Sequence, residues 1–305
     1  MTDIIRIENL SKTFGEIKAV DGINFKVREG ELFAFLGING AGKSTTISII
    51  CGQLKKDAGK VTVNGKDIET NHNEIKRELG VVFQNSVLDM PLTVTDNLRS
   101  RAALYGIHGK EFKERLEELA SLLDFEDLLK RTVGKLSGGQ KRRIDIARAL
   151  IHSPKILILD EPTTGLDPQT RKKLWSVIEN LRREQKMTVF LTTHYMEEAA
   201  EADYVVILDR GRIAAEGTPL ELKNKYTGDF ISLYNVKEED LKPVGLPYEA
   251  IKDGFKVSVP DTKAATELIL KYPKLFTDYE IAKGKMDDVF LSVTGKKLSG
   301  GEDKL

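Results

Sequence analysis

The sequence has one cysteine, Cys51, among 305 residues, so no disulfide can form within the chain. A single thiol is also too few for the usual structural zinc sites, which take two or more cysteine ligands. No segment approaches the roughly 18 consecutive apolar residues of a membrane-spanning helix, and Asp3 and Glu8 interrupt the stretch where a secretory signal would be apolar. We therefore expect a protein of the reducing cytosol that acts at a membrane only through a partner.

An excess of charge of either sign is absent as well. The chain has 47 Lys and Arg residues against 47 Asp and Glu residues, so no overall positive field favours nucleic acid or anionic lipid. Nucleic acid is therefore not an expected partner. With 40% hydrophobic and 31% charged residues, the composition is that of a folded protein. The length suggests one large domain or two ordinary ones.

Hydrophobic patterning predicts an α/β fold. Short β-rich runs fill the first third of the chain, whereas residues 88–135 have the three- and four-residue spacing of apolar positions that is typical of helices. Apolar runs such as 156–159 then alternate with amphipathic helices, as in a parallel sheet. We expect one domain over 1–225. Because five of the eight tyrosines and four of the nine prolines lie in 226–305, we expect a separate small α+β domain there.

A glycine-rich segment after the apolar run ending at Leu36 fits the P-loop pattern GxxxxGK followed by Ser or Thr. Such a loop joins a strand to a helix, so backbone N–H groups and the helix N-terminus converge on phosphate oxygens. Lys43 would reach the β- and γ-phosphates of a nucleotide, and Ser44 would bind Mg²⁺. The predicted nucleotide-binding residues of this loop are Gly37, Asn39, Gly40, Ala41, Gly42, Lys43, Ser44 and Thr45.

Two adjacent carboxylates, Asp160 and Glu161, follow the apolar run 156–159. Burial of that strand would place both acids at the carboxyl edge of the sheet, where ligands of α/β proteins bind. Asp160 suits the support of Mg²⁺, and Glu161 suits the polarisation of an attacking water. Taken alone, the pair could also be an ordinary charged strand end.

The segment Leu136-Ser137-Gly138-Gly139-Gln140 precedes an amphipathic helix. Two glycines allow a backbone to approach a phosphate closely, and Ser137 stands where an N-cap residue would stand. We predict a second anion site at Ser137, Gly138, Gly139 and Gln140, although a capped helix start without a ligand is the simpler alternative. A further Leu-Ser-Gly-Gly run at 298–301 has no helix after it, and we expect a flexible tail there.

Together these motifs resemble the ATP-binding subunit of an ABC transporter, and the resemblance extends from residue 4 to about residue 220. It implies a P-loop NTPase cassette with a RecA-like core, an N-terminal antiparallel β subdomain and a helical subdomain at about 88–135. Gln84 matches the Q-loop of the family, Asp167 its D-loop and His194 its switch histidine. By this resemblance Gln84 contacts Mg²⁺ and the attacking water, and His194 holds the γ-phosphate.

The resemblance also implies contacts to the base and a subunit arrangement. Phe14 matches the aromatic residue that stacks on adenine, with Val20 beside it, although Phe14 could instead be a core residue. In the family the P-loop of one subunit and the LSGGQ of another enclose one ATP, which implies a head-to-tail homodimer. A separate transmembrane permease would contact residues after Gln84, for which the candidates are Leu88, Met90, Leu104 and Tyr105.

Residues around 192–212 and the ending at 286–295 are similar to export subunits of the drug-resistance group. The resemblance implies a peripheral protein of the cytoplasmic membrane face that hydrolyses ATP to power export. An importer subunit remains the alternative, because sequence barely separates the two. A DNA-repair or ribosomal ABC ATPase fits less well, since Ser44 and Ser137 are only 93 residues apart, too few for a long coiled coil, and the chain has one cassette.

Overall fold

The computed structural model describes residues 2–295, and its elements follow the predicted α/β order. The 298–301 run lies outside the described residues. The strands are β1 (Asp3–Phe14), β2 (Ile17–Arg28), β3 (Leu32–Leu36), β4 (Ala58–Val63), β5 (Lys66–Asp67), β6 (Leu79–Val82), β7 (Ile156–Asp160), β8 (Thr188–Thr193), β9 (Tyr204–Asp209), β10 (Arg212–Gly217), β11 (Asp229–Tyr234), β12 (Tyr248–Ile251), β13 (Gly254–Val259) and β14 (Tyr279–Lys283). The helices are α1 (Lys43–Ile50), α2 (His72–Glu78), α3 (Val94–Ala103), α4 (Gly109–Leu122), α5 (Gly138–Leu150), α6 (Pro168–Gln185), α7 (Met196–Ala200), α8 (Pro219–Tyr226), α9 (Glu238–Leu241), α10 (Thr262–Lys271) and α11 (Met286–Thr294). Among residues 2–295, no helix combines the length and the apolar character that a bilayer crossing requires.

The chain divides into two compact units: residues 2–194 with 202–213, and residues 195–201 with 214–295. In the first unit, β1, β2, β4 and β5 form an antiparallel sheet in the order β2-β1-β4-β5. A six-stranded sheet has the order β10-β9-β3-β8-β7-β6, and β9, β3, β8, β7 and β6 pair in parallel. Every residue of β3, β7 and β8 is buried, as expected for parallel strands that are covered on both faces.

The order of the parallel strands positions the site. Because β3, β8 and β7 are neighbours, the segments that leave their carboxyl ends lie at one edge of the sheet. Those segments are the glycine-rich loop after Leu36, the residue pair at the end of β7 and His194 after β8. The predicted helical insertion is also present, as α3, α4 and two short 3-10 turns within 94–135.

The second unit contains an antiparallel sheet in the order β12-β13-β11-β14. Its core includes Ile231, Leu233, Val257 and Leu268, as the alternating pattern of β11 and β13 predicts. The sequence interpretation missed β12, because this four-residue strand has three exposed residues and no buried one. The α+β character predicted for this end of the chain agrees with these elements.

The division between the units lies closer to the N-terminus than the expected boundary after residue 225. Helix α11 packs on α8 and on α7 within the second unit, and Phe290 of α11 is 1% exposed. Two short helices that precede the expected boundary are therefore held by apolar packing against a helix near residue 290. That 226–305 folds as a domain of its own remains a prediction.

We expect Phe290→Ala to lower the free energy of unfolding of the second unit by about 3–5 kcal/mol, because it deletes a buried ring and leaves a cavity. Leu291→Ala is the matched control, since the next side chain of α11 is 40% exposed and such surface changes cost about 0.5 kcal/mol or less. Urea titrations of both variants measure the difference. Equal losses in the two variants would contradict the packing of α11 described above.

Candidate functional site

The glycine-rich loop connects β3 to α1, as predicted, and α1 begins at Lys43. Gly42 has φ of +107°, and a Cβ at this position would collide with the carbonyl oxygen of Ala19. Only glycine therefore fits the last loop position before the helix. Gly37 is buried, whereas Asn39, Gly40 and Ser44 are exposed at the mouth of the loop.

The side chain of Lys43 lies inside this loop and is 4% exposed. Its ammonium group donates to the carbonyl oxygens of Gly37 at 2.6 Å and Ile38 at 3.2 Å. Glu161 Oε1 lies 3.4 Å from the same nitrogen. Burial lowers the pKa of Lys43, and the negative charge of Glu161 opposes that shift. A cation is thus buried at the predicted phosphate site with one carboxylate facing it.

Glu161 is the point at which the predicted catalytic residues meet. Gln84 Nε2 donates to Glu161 Oε2 at 3.1 Å, and His194 Nδ1 lies 3.4 Å from that oxygen. Glu161 itself is 7% exposed and has φ of +46°, a conformation that non-glycine residues seldom adopt. Such strained backbone persists only where neighbouring groups hold it, and it is concentrated at functional sites.

The surroundings of Glu161 keep its carboxylate ionised. A hydrogen bond from His194, together with the charge of Lys43, lowers the pKa of Glu161 to about 2, although burial alone would raise it. The group therefore carries its full negative charge at neutral pH. So low a pKa also makes it a weak proton acceptor in this arrangement.

Asp160, the last residue of β7, is 6% exposed and is fixed from the neighbouring strand. Thr192 Oγ1 of β8 donates to Asp160 Oδ1 at 2.5 Å, and the backbone N–H of Glu161 donates to the same threonine hydroxyl at 3.1 Å. Sequence reasoning missed Thr192. The available signal was a hydroxyl residue near the carboxyl end of the strand, directly after the apolar residues 189–191.

The predicted N-cap at Ser137 is confirmed. Ser137 Oγ accepts from the backbone N–H of Gln140 at 3.2 Å, and the Gln140 side chain accepts from the backbone N–H of Ser137 at 2.9 Å. This reciprocal pair is a capping box. Ser137 and Gly138 are exposed, and a cavity of ≈ 500 Å³ is lined in part by Ser137, Gly139 and Gln140.

Asp167 is exposed and caps α6: its carboxylate accepts from the backbone N–H of Thr170 at 2.9 Å. The hydrogen bonds that the side chain and backbone of Thr170 donate to this carboxylate lower the pKa of Asp167. The structure therefore gives Asp167 a local role at a helix start. It does not bring Asp167 into the group of side chains that contact Glu161.

Phe14 and Val20, the two residues expected to contact the adenine base, differ in their exposure. Phe14 is 48% exposed, with Lys12 Nζ 5.5 Å from the ring centroid, so the alternative that Phe14 is a core residue is wrong. Val20 is fully buried in the core of the first unit. In this structure Val20 contributes packing, and its burial does not support the expected contact with the base.

The four candidates for contact with a permease also differ in their exposure. Leu104 is 74% exposed and Met90 is 40% exposed, whereas Leu88 is buried at 6%. Tyr105 stacks on His152 with ring centroids 3.9 Å apart. Leu88 is thus a core residue, and Met90 and Leu104 remain candidates for contact with another protein.

Comparisons with known proteins agree with this geometry. The family described as "ABC transporter" matches residues 20–164. The chain is 35% identical to the daunorubicin resistance ATP-binding protein DrrA2 of Streptomyces coeruleorubidus, over 98% of both chains. It is 39% identical to the Nod factor export ATP-binding protein I of a Rhizobium species, over 96% of this chain and 98% of the relative.

A solved dimeric ATP-binding cassette, in a post-hydrolysis state with ADP and phosphate, superposes with a TM-score of 0.64 at 29% identity. The match covers 70% of this chain and 98% of that cassette. The fold predicted from the sequence is therefore confirmed for the cassette. The chain belongs to the ABC transporter family, as an ATP-binding subunit with the ATPase cassette fold.

Proposed function

We propose that this chain is the ATP-hydrolysing subunit of an exporter, which works as a head-to-tail homodimer on a separate transmembrane permease. The observation that carries the proposal is the convergence on Glu161 of Lys43, Gln84 and His194, which come from three separate segments. A buried carboxylate beside a phosphate-binding lysine and two further polar side chains suits the activation of water for attack on a γ-phosphate.

The residues at the carboxyl edge of the sheet suit Mg²⁺-ATP. We infer that the backbone amides of 37–45 and Lys43 hold the phosphates, and that Ser44, Asp160 and Gln84 hold Mg²⁺. This donor set has one carboxylate together with hydroxyl and amide oxygens, which fits a Mg²⁺ ion that takes its other ligands from phosphate and water.

We infer that phosphate binding activates Glu161. Lys43 faces Glu161 at 3.4 Å and helps to keep the pKa of this carboxyl at about 2. Phosphate oxygens would compete for the ammonium group, and the loss of that charge would raise the pKa of Glu161 and its basicity. Glu161 would then accept a hydrogen bond from the attacking water while His194 donates to the γ-phosphate.

The composite site of two chains is also part of the proposal. Ser137, Gly138, Gly139 and Gln140 lie at the N-terminus of α5, where the positive end of the helix dipole favours an anion. Ser137, Gly138 and Asp167 are exposed, so a second copy can reach them. The dimeric state of the superposed cassette supports this arrangement.

Exposed apolar side chains support a protein partner. Of the six large hydrophobic residues of the first unit that are exposed, four lie between residues 87 and 104: Val87, Met90, Leu92 and Leu104. Such a concentration just after Gln84 is suited to binding a permease at the cytoplasmic membrane face. Motion of the Gln84 segment would then accompany the movement of the permease.

The export direction is supported by the names of the two relatives, one for daunorubicin resistance and one for Nod factor export. The experiment is reconstitution in vesicles with the membrane protein encoded beside this chain. Added ATP should drive a fluorescent drug across the bilayer, away from the side that carries the ATPase. Movement toward that side would support the importer alternative, and ATP hydrolysis with a soluble partner only would support a non-transport ATPase.

We expect Phe14→Ala to raise the dissociation constant for ATP by about one to two orders of magnitude, on the scale of about 1–3 kcal/mol for loss of a base-stacking surface. Ile17→Ala is the matched control, because Ile17 pairs with Phe14 across the β1–β2 hairpin and is also exposed. Fluorescence titration with a labelled ATP measures both. An unchanged constant in Phe14→Ala would remove the stacking role.

A further inference from the structure

Arg142 is a buried cation that no predicted motif role explains. It lies on α5, two residues after Gln140, and is 7% exposed. A guanidinium group removed from water requires hydrogen-bond acceptors for its N–H groups. All the acceptors recorded for Arg142 are backbone carbonyl oxygens in the two segments that contain Glu161 and Gln84.

The first segment is the strained turn at the end of β7. Arg142 Nε donates to Pro162 O at 2.7 Å, and Nη2 donates to Asp160 O at 3.1 Å and Glu161 O at 3.2 Å. The backbone N–H of Glu161 donates to Thr192 of the neighbouring strand β8. The residue with φ of +46° is thus fixed at its amide by β8 and at its carbonyl by Arg142.

The second segment carries Gln84. Arg142 Nη1 donates to Phe83 O at 2.5 Å, and this carbonyl belongs to the peptide bond that joins Phe83 to Gln84. One turn further along α5, Asp145 Oδ1 accepts from Ser86 Oγ at 3.1 Å. The same helix therefore holds the backbone before Gln84, through Phe83 O, and a side chain after it, through Ser86.

We propose that Arg142 is a positioning residue for hydrolysis: from the helix that begins at the LSGGQ segment, it holds the Gln84 and Glu161 segments in one fixed arrangement. The inference rests on the proposed function. In the proposed dimer the start of α5 would contact the nucleotide bound by the partner subunit, whereas Glu161 would act on the nucleotide bound by its own chain. Arg142 therefore connects the two sites, because it lies on α5 and holds the Glu161 segment. A planar fork of N–H donors can serve four carbonyls at once, which a lysine ammonium cannot do from one point.

The test compares Arg142→Lys and Arg142→Gln with Arg115→Gln. Arg115 is the matched control: it is 13% exposed and donates to the carbonyl oxygen of Leu150 at the other end of α5. We expect both Arg142 variants to lower kcat by about 10²-fold, the scale for a small misplacement of reacting groups, with the dissociation constant for ATP within about twofold of wild type because Lys43 is untouched. Arg115→Gln should keep its kcat even where its melting temperature falls.

Two further measurements separate positioning from charge balance. Arg142→Gln removes one of the two cations near Asp145, which is 5% exposed, and leaves Arg148 as the other. The double variant Arg142→Gln/Asp145→Asn removes the charge of Asp145 as well. Recovery of kcat in the double variant, or a wild-type kcat in Arg142→Lys, would overturn the inference.

Amide hydrogen exchange does not depend on activity. Peptides covering 83–87 and 160–165 should exchange at least about tenfold faster in Arg142→Lys than in Arg115→Gln, and equal exchange would also overturn it. A wild-type chain that fails to hydrolyse ATP would instead refute the proposed function.

Discussion

Lys43→Ala should abolish measurable ATP hydrolysis, and it is the single change from which we expect the largest loss. The side chain is the buried cation of the glycine-rich loop, and charge-assisted hydrogen bonds to phosphate oxygens are the strong ones. Removal of one such contact should weaken ATP binding by about 1.5–3 kcal/mol. Loss of a preorganised charge aimed at the transferring group should lower kcat by at least about 10²–10³-fold.

The substitution also alters Glu161. Lys43 helps to lower the pKa of this carboxyl, so removal of the lysine should raise that pKa. The buried carboxylate would then have one neighbouring positive charge fewer. Lys56→Ala is the matched control, because Lys56 is 12% exposed and is paired with Glu69 at 3.0 Å outside the site. Phosphate release and ATP titration measure both variants. Normal turnover in Lys43→Ala would refute the assignment of the loop.

Glu161→Gln should bind ATP and fail to cleave it. The amide keeps the shape and the hydrogen-bonding capacity of the side chain but removes the basic oxygen, and loss of a general base costs about 10²–10⁴-fold in rate. Glu78→Gln serves as the control, because Glu78 is paired with Lys66 outside the site. A Glu161→Gln protein with normal turnover would contradict the role proposed for this residue.

The same variant should accumulate as an ATP-dependent dimer. A ligand that binds only the closed pair and is not consumed shifts the population toward that pair. Size-exclusion chromatography at one protein concentration, with and without ATP, measures the shift.

Ser137 supplies the test of the composite site. Adding Ser137→Arg to Glu161→Gln places bulk where the phosphate of the partner's nucleotide would lie, and should return the protein to monomer. Ser137→Ala removes the hydroxyl that caps the helix, at a cost of about 1 kcal/mol, together with any contact of that hydroxyl to the partner's nucleotide, but it adds no bulk and should weaken the dimer far less than Ser137→Arg. A dimer that persists with Ser137→Arg would contradict the head-to-tail arrangement.

The local sequence pattern was sufficient to predict several features of the site. The glycine-rich loop, the apolar strand that ends in two acids and the capped helix start at Ser137 were each predicted from a few consecutive residues. Such features are recoverable because a turn that needs glycine, a buried strand or an N-cap depends on neighbours in sequence. The family followed from their order along the chain.

Contacts between residues far apart in the chain were not recoverable in this way. Val20 and Phe14 lie on adjoining strands, yet one is buried and the other exposed, because the neighbouring elements decide burial. The packing of α7 and α8 on α11 depends on a helix some 60 to 90 residues further along, which composition does not indicate.

The sequence alone determined the chemistry that this protein can perform: a lysine in a phosphate loop, a carboxylate at a strand end and a serine at a helix start. Only the tertiary structure decided how those groups act on one another. Parallel pairing of β3, β8 and β7 brings Lys43, Glu161 and His194 together. Arg142 donates hydrogen bonds to the backbone of both the Gln84 segment and the Glu161 segment. The distances between these groups, and with them the pKa of Glu161, depend on strand order and packing, because electrostatic and hydrogen-bond energies are set by separation in space and by burial.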